Sequence, residues 1–328
     1  MKYKIFIIFI LTGLFIPLLA LVSCNPKPEK LGGGGGKIPT NTPTPKPGGL
    51  TDKPDNPDGG ATDPDSSAGN HPGGGGATDP VGGAAAGNSG SGAANQQDEA
   101  LKQRIVNYLI GFITPGIKQT INTHTNTTWN EGKQDYIISG ANQFFGVIQY
   151  TDAKKQKKLY NTQDDESKTA RREMYLGFDY IDLNIEAFGK LASKMVAAQN
   201  VQMKTELANM VDKIREYARA FYLTTCNTII NKQDKLMKLD LNDIKTLRTN
   251  LQAIRSSHNN INSKFIFPIE KDHHEDIKIG TAKHQLKTTA TAEEIQKYLK
   301  DKFDSAESDF DNAINTANEI AGILNKIQ

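Results

Sequence analysis

The chain has 328 residues, and 19 of its 29 glycines and 11 of its 14 prolines lie between residues 25 and 96. This Gly/Pro-rich stretch cannot form a hydrophobic core, and it explains most of the low hydrophobic content of 37%. Residues 98–328 carry 32 Lys and Arg against 30 Asp and Glu, so the basic excess of a typical nucleic-acid-binding protein is excluded.

The first 24 residues have the pattern of a bacterial lipoprotein signal. Lys2 and Lys4 form a short positive region, residues 5–22 are almost wholly apolar, and the segment ends in Leu21-Val22-Ser23-Cys24. The signal peptidase requires a small residue before the cut and a cysteine after it. We therefore predict a signal peptide at residues 1–23 and lipidation of Cys24, since two or more acyl chains give stable anchoring.

A transmembrane anchor is the alternative for this segment, because about 18 apolar residues can just span a bilayer. Pro17 would kink such a helix, and no basic stop-transfer cluster follows it. Both observations favour the lipoprotein signal and a mature chain that begins at Cys24.

Residues 24–97 are predicted to be a lipidated cysteine followed by a disordered tether. Glycine runs at residues 32–36 and 73–76 alternate with proline-rich pieces such as Pro43-Thr44-Pro45-Lys46-Pro47. A coil of this length reaches roughly 45–50 Å, which would hold a folded head away from the membrane. A polyproline ligand for an aromatic groove is the alternative use of the proline-rich piece.

Residues 98–328 show helical spacing of apolar residues nearly everywhere, so we predict an all-α helical bundle of about five to seven helices. No strand is predicted. The predicted helices lie at residues 101–113, at 134–150, at 165–178, after a cap at Asp179 or Asp182, after a cap at Asn200, from Asn242 or Asp243 to a stop at Pro268, and from a capping box at Thr291-Ala292-Glu293-Glu294 onward.

The last predicted helix is long. Its 35 or so residues make a rod of roughly 50 Å, which is longer than a small bundle needs. One interpretation is that it pairs with a second copy of the chain to form a homodimer. The other is that it folds back on its own core, and the sequence leaves both open.

Several helical stretches of this head, together with the lipoprotein signal, resemble the Borrelia outer-surface lipoproteins related to CspA, the complement regulator-acquiring surface protein family. The similarity covers roughly residues 107–328 and is carried by Lys157-Lys158-Leu159-Tyr160, Arg171-Arg172-Glu173-Met174-Tyr175-Leu176-Gly177-Phe178-Asp179-Tyr180, Ile185-Glu186-Ala187-Phe188-Gly189-Lys190-Leu191 and Lys235-Leu236-Met237-Lys238-Leu239-Asp240-Leu241-Asn242-Asp243-Ile244-Lys245-Thr246-Leu247. The resemblance implies a helical bundle on a spirochaete surface, with a C-terminal helix that pairs two chains and capture of a complement regulator such as factor H.

The strongest candidate for chemistry is His273-His274-Glu275-Asp276, with Asp272 beside it. Metalloprotease helices place zinc ligands four residues apart, whereas these two histidines are consecutive. We therefore predict a polar loop here, and no metal or cofactor. His124 and His284 have no partner that the sequence identifies. Cys226 lies mid-helix and is predicted to be a plain buried thiol.

Three other features have structural and functional interpretations. The acidic run Asp164-Asp165-Glu166 fits a helix N-terminus better than a Ca²⁺ loop. The basic run Lys154–Lys158 is interpreted as a solvated helix end, with an acidic ligand such as a glycosaminoglycan or a host-protein surface as the alternative. Trp129, the single tryptophan, is predicted to be a buried anchor, not a binding residue.

These observations predict a non-enzymatic, lipid-anchored protein of the bacterial outer membrane that is displayed on the cell surface. Its helical head is predicted to bind a host protein for complement evasion, either a factor H-type regulator or a terminal complement component. The alternative is an adhesin or vector-stage protein that binds matrix, plasminogen or a tick protein. One sequence does not identify the ligand-binding residues.

Overall fold

The computed structural model describes residues 90–134 and 136–327. The predicted signal peptide, Cys24 and the tether up to residue 89 lie outside these residues. The first helix begins at Gly90, so its first turns precede the predicted head boundary at residue 98. Within the described part, no helix combines the length and the apolar character that crossing a membrane requires.

The described residues form an all-α bundle, as predicted. Seven of the ten α-helices, numbered in chain order, have more than ten residues. Helices α1–α10 span Gly90–Phe112, Pro115–Thr125, Phe144–Val147, Asp165–Gly177, Asp182–Ala197, Val201–Ala218, Thr228–Lys232, Leu241–Ile261, Phe267–His274 and Ala292–Leu324. Two 3₁₀ turns lie at Glu131–Lys133 and Gln233–Lys238.

Two long rods each contain a π-helical segment. Arg219–Asn227 joins α6 to α7, and Asn262–Ile266 joins α8 to α9. Cys226 lies in the first of these segments, has no exposed surface, and has a pKa that burial raises above its ordinary value. This confirms the prediction of a buried thiol.

The C-terminal helix α10 lies against α8, α6 and α5 and buries one face from its first turns to its last. Phe310 is fully buried on this face, with ring centroids 5.8 Å from Phe265, 5.3 Å from Phe303 and 5.4 Å from Tyr217. The helix therefore folds back on its own core, one of the two alternatives. Its outward face is polar, with residues such as Asp304 and Asn315 exposed. Pairing of two chains through this helix stays a prediction.

The helix predicted at residues 134–150 is wrong. Only the four residues Phe144–Val147 are helical there, and the rest of the segment is irregular or strand. Gly146 shows why: a Cβ there would lie 2.4 Å from the carbonyl oxygen of Gly140, so the chain folds back on itself. Phe144 and Phe145 are fully buried without a long helix to carry them.

Two short hairpins also depart from the prediction of no strands. Strand β1 (Gln149–Thr151) pairs antiparallel with β2 (Lys157–Leu159), and β3 (Lys278–Ile279) pairs with β4 (His284–Gln285). The basic run at residues 154–158 therefore occupies a hairpin, not the helix end that we predicted. Strands this short lie below the length at which alternation of apolar residues gives a recognisable signal.

The predicted caps at Asn200 and Thr291 are confirmed. The Asn200 side chain accepts the Met203 N–H, and Thr291 forms the full capping box with Glu294. Other boundaries differ. Helix α8 is capped by Asp240, whose carboxylate accepts the Asp243 N–H at 2.7 Å, and not by Asn242 or Asp243.

Two further boundary predictions are wrong. Helix α5 follows Ile181, which makes no side-chain cap, and Asp182 lies in its first turn. Pro268 does not stop a helix but lies in the first turn of α9. The rod continues through this proline, which directly follows the π-helical segment Asn262–Ile266.

Replacement of Phe310 by Ala tests whether α10 is part of the core. Removing a fully buried aromatic ring leaves a cavity, so we expect the free energy of unfolding to fall by about 3–5 kcal/mol. Asn315→Ala, at an exposed position of the same helix, is the matched control and should change it by less than about 0.5 kcal/mol. Urea unfolding of both variants measures this, and equal effects would contradict the observed packing.

Candidate protein-binding surface

A cavity of about 960 Å³ lies where the irregular segment after α2 crosses helix α4. The segment contributes aromatic, aliphatic and acidic side chains, and α4 contributes basic and aromatic ones. The segment lines the cavity with Trp129, Glu131, Tyr136 and Ile137. Helix α4 lines it with Arg171, Arg172 and Tyr175.

A buried ion pair fixes the segment to α4. The Arg171 side chain is 3% exposed, and its Nε and Nη2 donate to the Glu131 carboxylate, each at 2.8 Å. Its Nη1 donates to the carbonyl oxygens of Tyr160 and Thr162. Burial lowers the pKa of Arg171, but the Glu131 carboxylate outweighs this and holds the pKa above its ordinary value. The guanidinium therefore stays charged and cross-links three parts of the chain.

The hydroxyl of Tyr175 donates a further hydrogen bond to Glu131. Burial, followed by the charge of Glu131, raises the pKa of Tyr175 well above its ordinary value, so the phenol remains a donor. The Glu131 carboxylate is thus held from two directions, and the floor of the cavity is rigid.

Trp129 is an anchor, held by Arg172. The guanidinium carbon of Arg172 lies 5.1 Å from the Trp129 ring centroid, and Nη2 donates to the carbonyl oxygens of Thr123 and Asn126 at the end of α2. The Trp129 ring also meets Tyr180 edge-on, with centroids 5.3 Å apart. These contacts hold the ring in place, but Trp129 is half-buried and lines the cavity, so the prediction that it is a buried residue is wrong.

Ile137 is the most unusual residue of the segment. Its φ is +51°, in the left-handed region, and its side chain is 69% exposed. A positive φ in a β-branched residue is a genuine outlier, and such a conformation costs about 1–3 kcal/mol. An aliphatic side chain is thus held out in solvent on a strained backbone.

The neighbours of Ile137 explain how its side chain is forced outward. Tyr136 and Ile138 are both buried, 5% and 1% exposed. Burial, and next the Asp182 carboxylate at the start of α5, raises the pKa of Tyr136, and Ile138 packs where a Cβ on Gly189 would lie 2.3 Å from its Cγ2. With both flanking side chains directed inward against α5, the residue between them has only the outward direction left.

Leu183 is a second exposed apolar residue of this region. It follows Asp182, whose carboxylate lies close enough to Tyr136 to affect its pKa, and it is 50% exposed. We call these two exposed residues the Ile137–Leu183 surface. Large exposed apolar side chains are few in the described part of the chain, and both belong to them. Ile137 also lines the cavity, and exposed apolar surface of this kind is typical of protein-binding sites.

A protein-family model described as "Borrelia Bbcrasp-1 domain containing protein" matches residues 126–325, which is more than half of the chain. The chain belongs to this family. Membership confirms the resemblance that the helical motifs indicated, and it makes the chain a member of a Borrelia outer-surface protein family. The Bbcrasp-1 match includes the segment that carries Trp129 and Ile137 and all of α10.

Two solved structures from Borrelia burgdorferi match the chain. A C-terminal proteolytic fragment of an outer surface protein has 14% identity and a TM-score of 0.47, with 67% of this chain and 99% of that chain covered. The outer surface protein BBA66 has 14% identity and a TM-score of 0.45, with 69% and 99% covered. No curated protein matches the chain.

The predicted candidate for chemistry lies at the end of α9, not in a polar loop. His273 is buried, whereas His274 is exposed, because consecutive helical positions face different directions. The Asp272 carboxylate accepts the Tyr298 hydroxyl and pairs with Lys302, each at 2.9 Å. Asp276 accepts the Lys287 N–H and the Thr288 hydroxyl. Both carboxylates thus hold the hairpin and α10 in place.

Other predicted residues also have structural partners. His124 Nδ1 lies 3.0 Å from the Tyr180 hydroxyl, and His284 Nδ1 lies 2.8 Å from Glu294. Asp164 caps α4 by accepting the Ser167 N–H at 3.0 Å, which confirms the helix N-terminus predicted for the acidic run. In residues 90–134 and 136–327, no group of three or more His, Cys, Asp or Glu side chains is placed to hold a metal ion.

The sequence did not identify Ile137 or Leu183 as functional residues. Tyr136-Ile137-Ile138 is an apolar run within a stretch that we predicted to be helical, and the pattern set none of the three apart. A helical pattern contains no signal for a positive φ. The only available sequence signal was the pair of glycines, Gly140 and Gly146, which mark a broken helix.

Removal of the Glu131 carboxylate should be strongly destabilising. Glu131→Ala leaves the Arg171 charge buried and unpaired, so we expect a loss of about 3–5 kcal/mol in the free energy of unfolding. Glu186→Ala removes the same side chain from an exposed pair with Lys190 and should cost less than about 1 kcal/mol. Chemical unfolding measures both values, and a difference below 1 kcal/mol would contradict the cross-linking role of Arg171.

The burial of His124 predicts a pH dependence of stability. Burial, and next the Arg172 charge, lowers the pKa of His124 from 6.5 to about 4. Between these values the unfolded chain binds the proton and the folded chain does not, so stability is lost as the pH falls from 6.5 towards 4. We expect His124→Gln to flatten this decline, whereas exposed His274→Gln leaves it unchanged. Thermal unfolding from pH 7 to 4 tests this, and identical slopes would contradict it.

Proposed function

We propose that this chain is a lipid-anchored lipoprotein of the bacterial outer surface whose helical head binds a host complement protein for immune evasion. In this proposal residues 1–23 are the signal peptide, Cys24 carries the lipid, residues 24–97 are the tether and residues 98–328 form the head. The binding role involves no catalysis and no cofactor. Membership of the Bbcrasp-1 domain family and the motifs of the first 24 residues support it.

The observation that carries the binding role is the Ile137–Leu183 surface. Ile137 combines a φ of +51° with 69% exposure, so neither backbone conformation nor burial favours isoleucine at this position. Strained residues of this kind cluster at binding sites, where the surrounding structure holds them in place. The Glu131–Arg171 pair and the Arg172–Trp129 contact hold the segment in this way.

The chemistry of the surface defines the partner. The exposed Ile137 side chain lines a cavity that is rimmed by polar groups such as Ser139 and Gln143. An apolar anchor surrounded by polar groups is the usual arrangement of a protein–protein interface. The proposed occupant is a complement protein, a factor H-type regulator or a terminal component, with an apolar depression that accepts Ile137 and Leu183.

Binding of the purified complement proteins to the full-length chain, solubilised in detergent, tests the proposal. A side chain that anchors an interface contributes about 2 kcal/mol or more, so we expect Ile137→Asn to weaken binding by roughly 30-fold or more. Because Asn adopts a positive φ more readily than Ile, the same variant should unfold at an equal or higher temperature. If Ile137 had a purely structural role, its replacement would not weaken binding while leaving the unfolding temperature equal or higher.

Val201→Asn is the matched control, because Val201 is a β-branched residue that is 76% exposed and lies outside the surface. It should leave binding unchanged. Equal loss of binding in both variants would contradict the assigned surface. Failure of the unmodified chain to bind factor H and the terminal components would overturn the complement proposal, and binding to matrix proteins, plasminogen or tick proteins would then support the adhesin alternative.

A further inference from the structure

The hairpin formed by β1 and β2 presents the basic run that the sequence singled out. Its register pairs Gln149 with Leu159, Tyr150 with Lys158 and Thr151 with Lys157, which leaves residues 152–156 as the turn. Tyr150 is 2% exposed, and its hydroxyl lies 2.9 Å from the Ser167 hydroxyl of α4. The base of the hairpin is thus fixed to the bundle.

The side chain of Asp152 fixes the turn through a hydrogen bond to its backbone. Its carboxylate is buried and accepts the Gln156 N–H through Oδ1 at 2.7 Å. This backbone hydrogen bond, together with the ammonium group of Lys158 at 3.3 Å from Oδ2, holds the pKa of Asp152 below its ordinary value. The turn is therefore built around a buried negative charge that Lys158 balances.

The acidic side chains around the hairpin are also engaged. Asp164 and Glu166, like Asp152, pair with Lys158. Lys154, Lys155 and Lys157 are exposed at the tip, and within the described part of the chain they form no ion pair. Three ammonium groups thus lie within four consecutive residues, two in the turn and one on the first residue of β2. We call these three lysines the lysine tip.

The backbone of Lys155 shows that a lysine is not the favoured residue at its position. Its φ is +62°, a conformation that glycine and asparagine adopt more readily. A turn selected for folding alone would favour one of those two residues. Folding of the turn alone therefore does not account for a lysine at residue 155.

The residues around the lysine tip indicate which class of polyanion it can bind. Lipid surfaces are recognised by basic residues together with apolar ones, but the large exposed apolar residues of the described chain are Ile137, Leu183, Val201 and Phe267, none of them in this hairpin. Single-stranded nucleic acid requires exposed aromatic rings for base stacking, whereas Tyr150 and Tyr160 are buried. A polyanion that is recognised through its negative charges, and needs neither apolar nor stacking contacts, fits these residues best.

We propose that the lysine tip binds a sulfated, unbranched polysaccharide through ion pairs between the three ammonium groups and successive sulfates. Lysine is a compact charge with three donors on a flexible stem, so it can follow irregularly spaced sulfates. This site is independent of the Ile137–Leu183 surface and does not require the complement-binding function.

Heparin binding to the full-length chain in detergent, measured at low and physiological salt, tests the proposal. We expect Lys155→Asn to weaken binding about fivefold, and the Lys154→Ala/Lys157→Ala double variant about 25-fold, since each exposed lysine near an anionic surface contributes a similar increment. Binding should weaken as salt rises, because exposed charges are screened. Lys155→Asn should unfold at an equal or higher temperature, since asparagine tolerates the positive φ.

Lys283→Asn is the matched control. Lys283 is exposed in the turn of the β3–β4 hairpin and has a φ of +56°, so this variant changes charge and backbone preference equally. It should bind heparin normally, and so should Ile137→Asn, which separates this site from the complement-binding surface. Equal weakening by Lys283→Asn, unchanged binding by Lys155→Asn, or tighter binding to phosphatidylserine vesicles or single-stranded DNA than to heparin would overturn the proposal.

Discussion

The buried face of the C-terminal helix is the constraint on which the rest of the fold depends. Helix α10 supplies buried residues from Ile295 to Leu324, and α5, α6 and α8 pack on it. Its aromatic contacts join Phe310 to residues of two different rods, through Tyr217 and Phe265. Because the apolar stripe of α10 is covered by its own bundle, the surface left for any second chain is polar. A homodimer through this helix would therefore depend on hydrogen bonds and ion pairs, which contribute less per area than an apolar seam.

The irregular segment between α2 and α4 depends on that frame in a different way. It has few regular backbone hydrogen bonds, and buried polar contacts replace them. Arg171 connects Glu131 with the carbonyl oxygens of Tyr160 and Thr162, and Arg172 closes the end of α2. Charged groups suit this task because a guanidinium has five donors in a fixed plane and can satisfy several acceptors at once. Because α4 supplies both arginines, the position of the segment depends on the helical frame.

Sequence periodicity predicted the helices well wherever one face of a helix is buried over several turns. Helices α1, α4, α6, α8 and α10 follow the predicted stripes, and the caps at Asn200 and Thr291 are confirmed. The failures share a cause. At residues 134–150 the apolar residues are buried by an irregular path, and the spacing of buried residues alone does not distinguish that path from a helix. The partners of His124 and His284 were missed because they are 56 and 10 residues away along the chain.

The candidate binding residues were missed for a deeper physical reason. Hydrophobic patterning assumes that an apolar side chain is buried and that a charged side chain is solvated and idle. Ile137 violates the first assumption and Lys155 weakens the second, and both have a positive φ. In each case neighbouring residues fix the backbone conformation. Tyr136 and Ile138 are buried on either side of Ile137, and the Asp152 carboxylate accepts the Gln156 N–H across the turn that contains Lys155. Local strain at these two positions is therefore a consequence of packing elsewhere. The side chains that occupy them do not stabilise the fold, and they are the ones for which we propose binding roles.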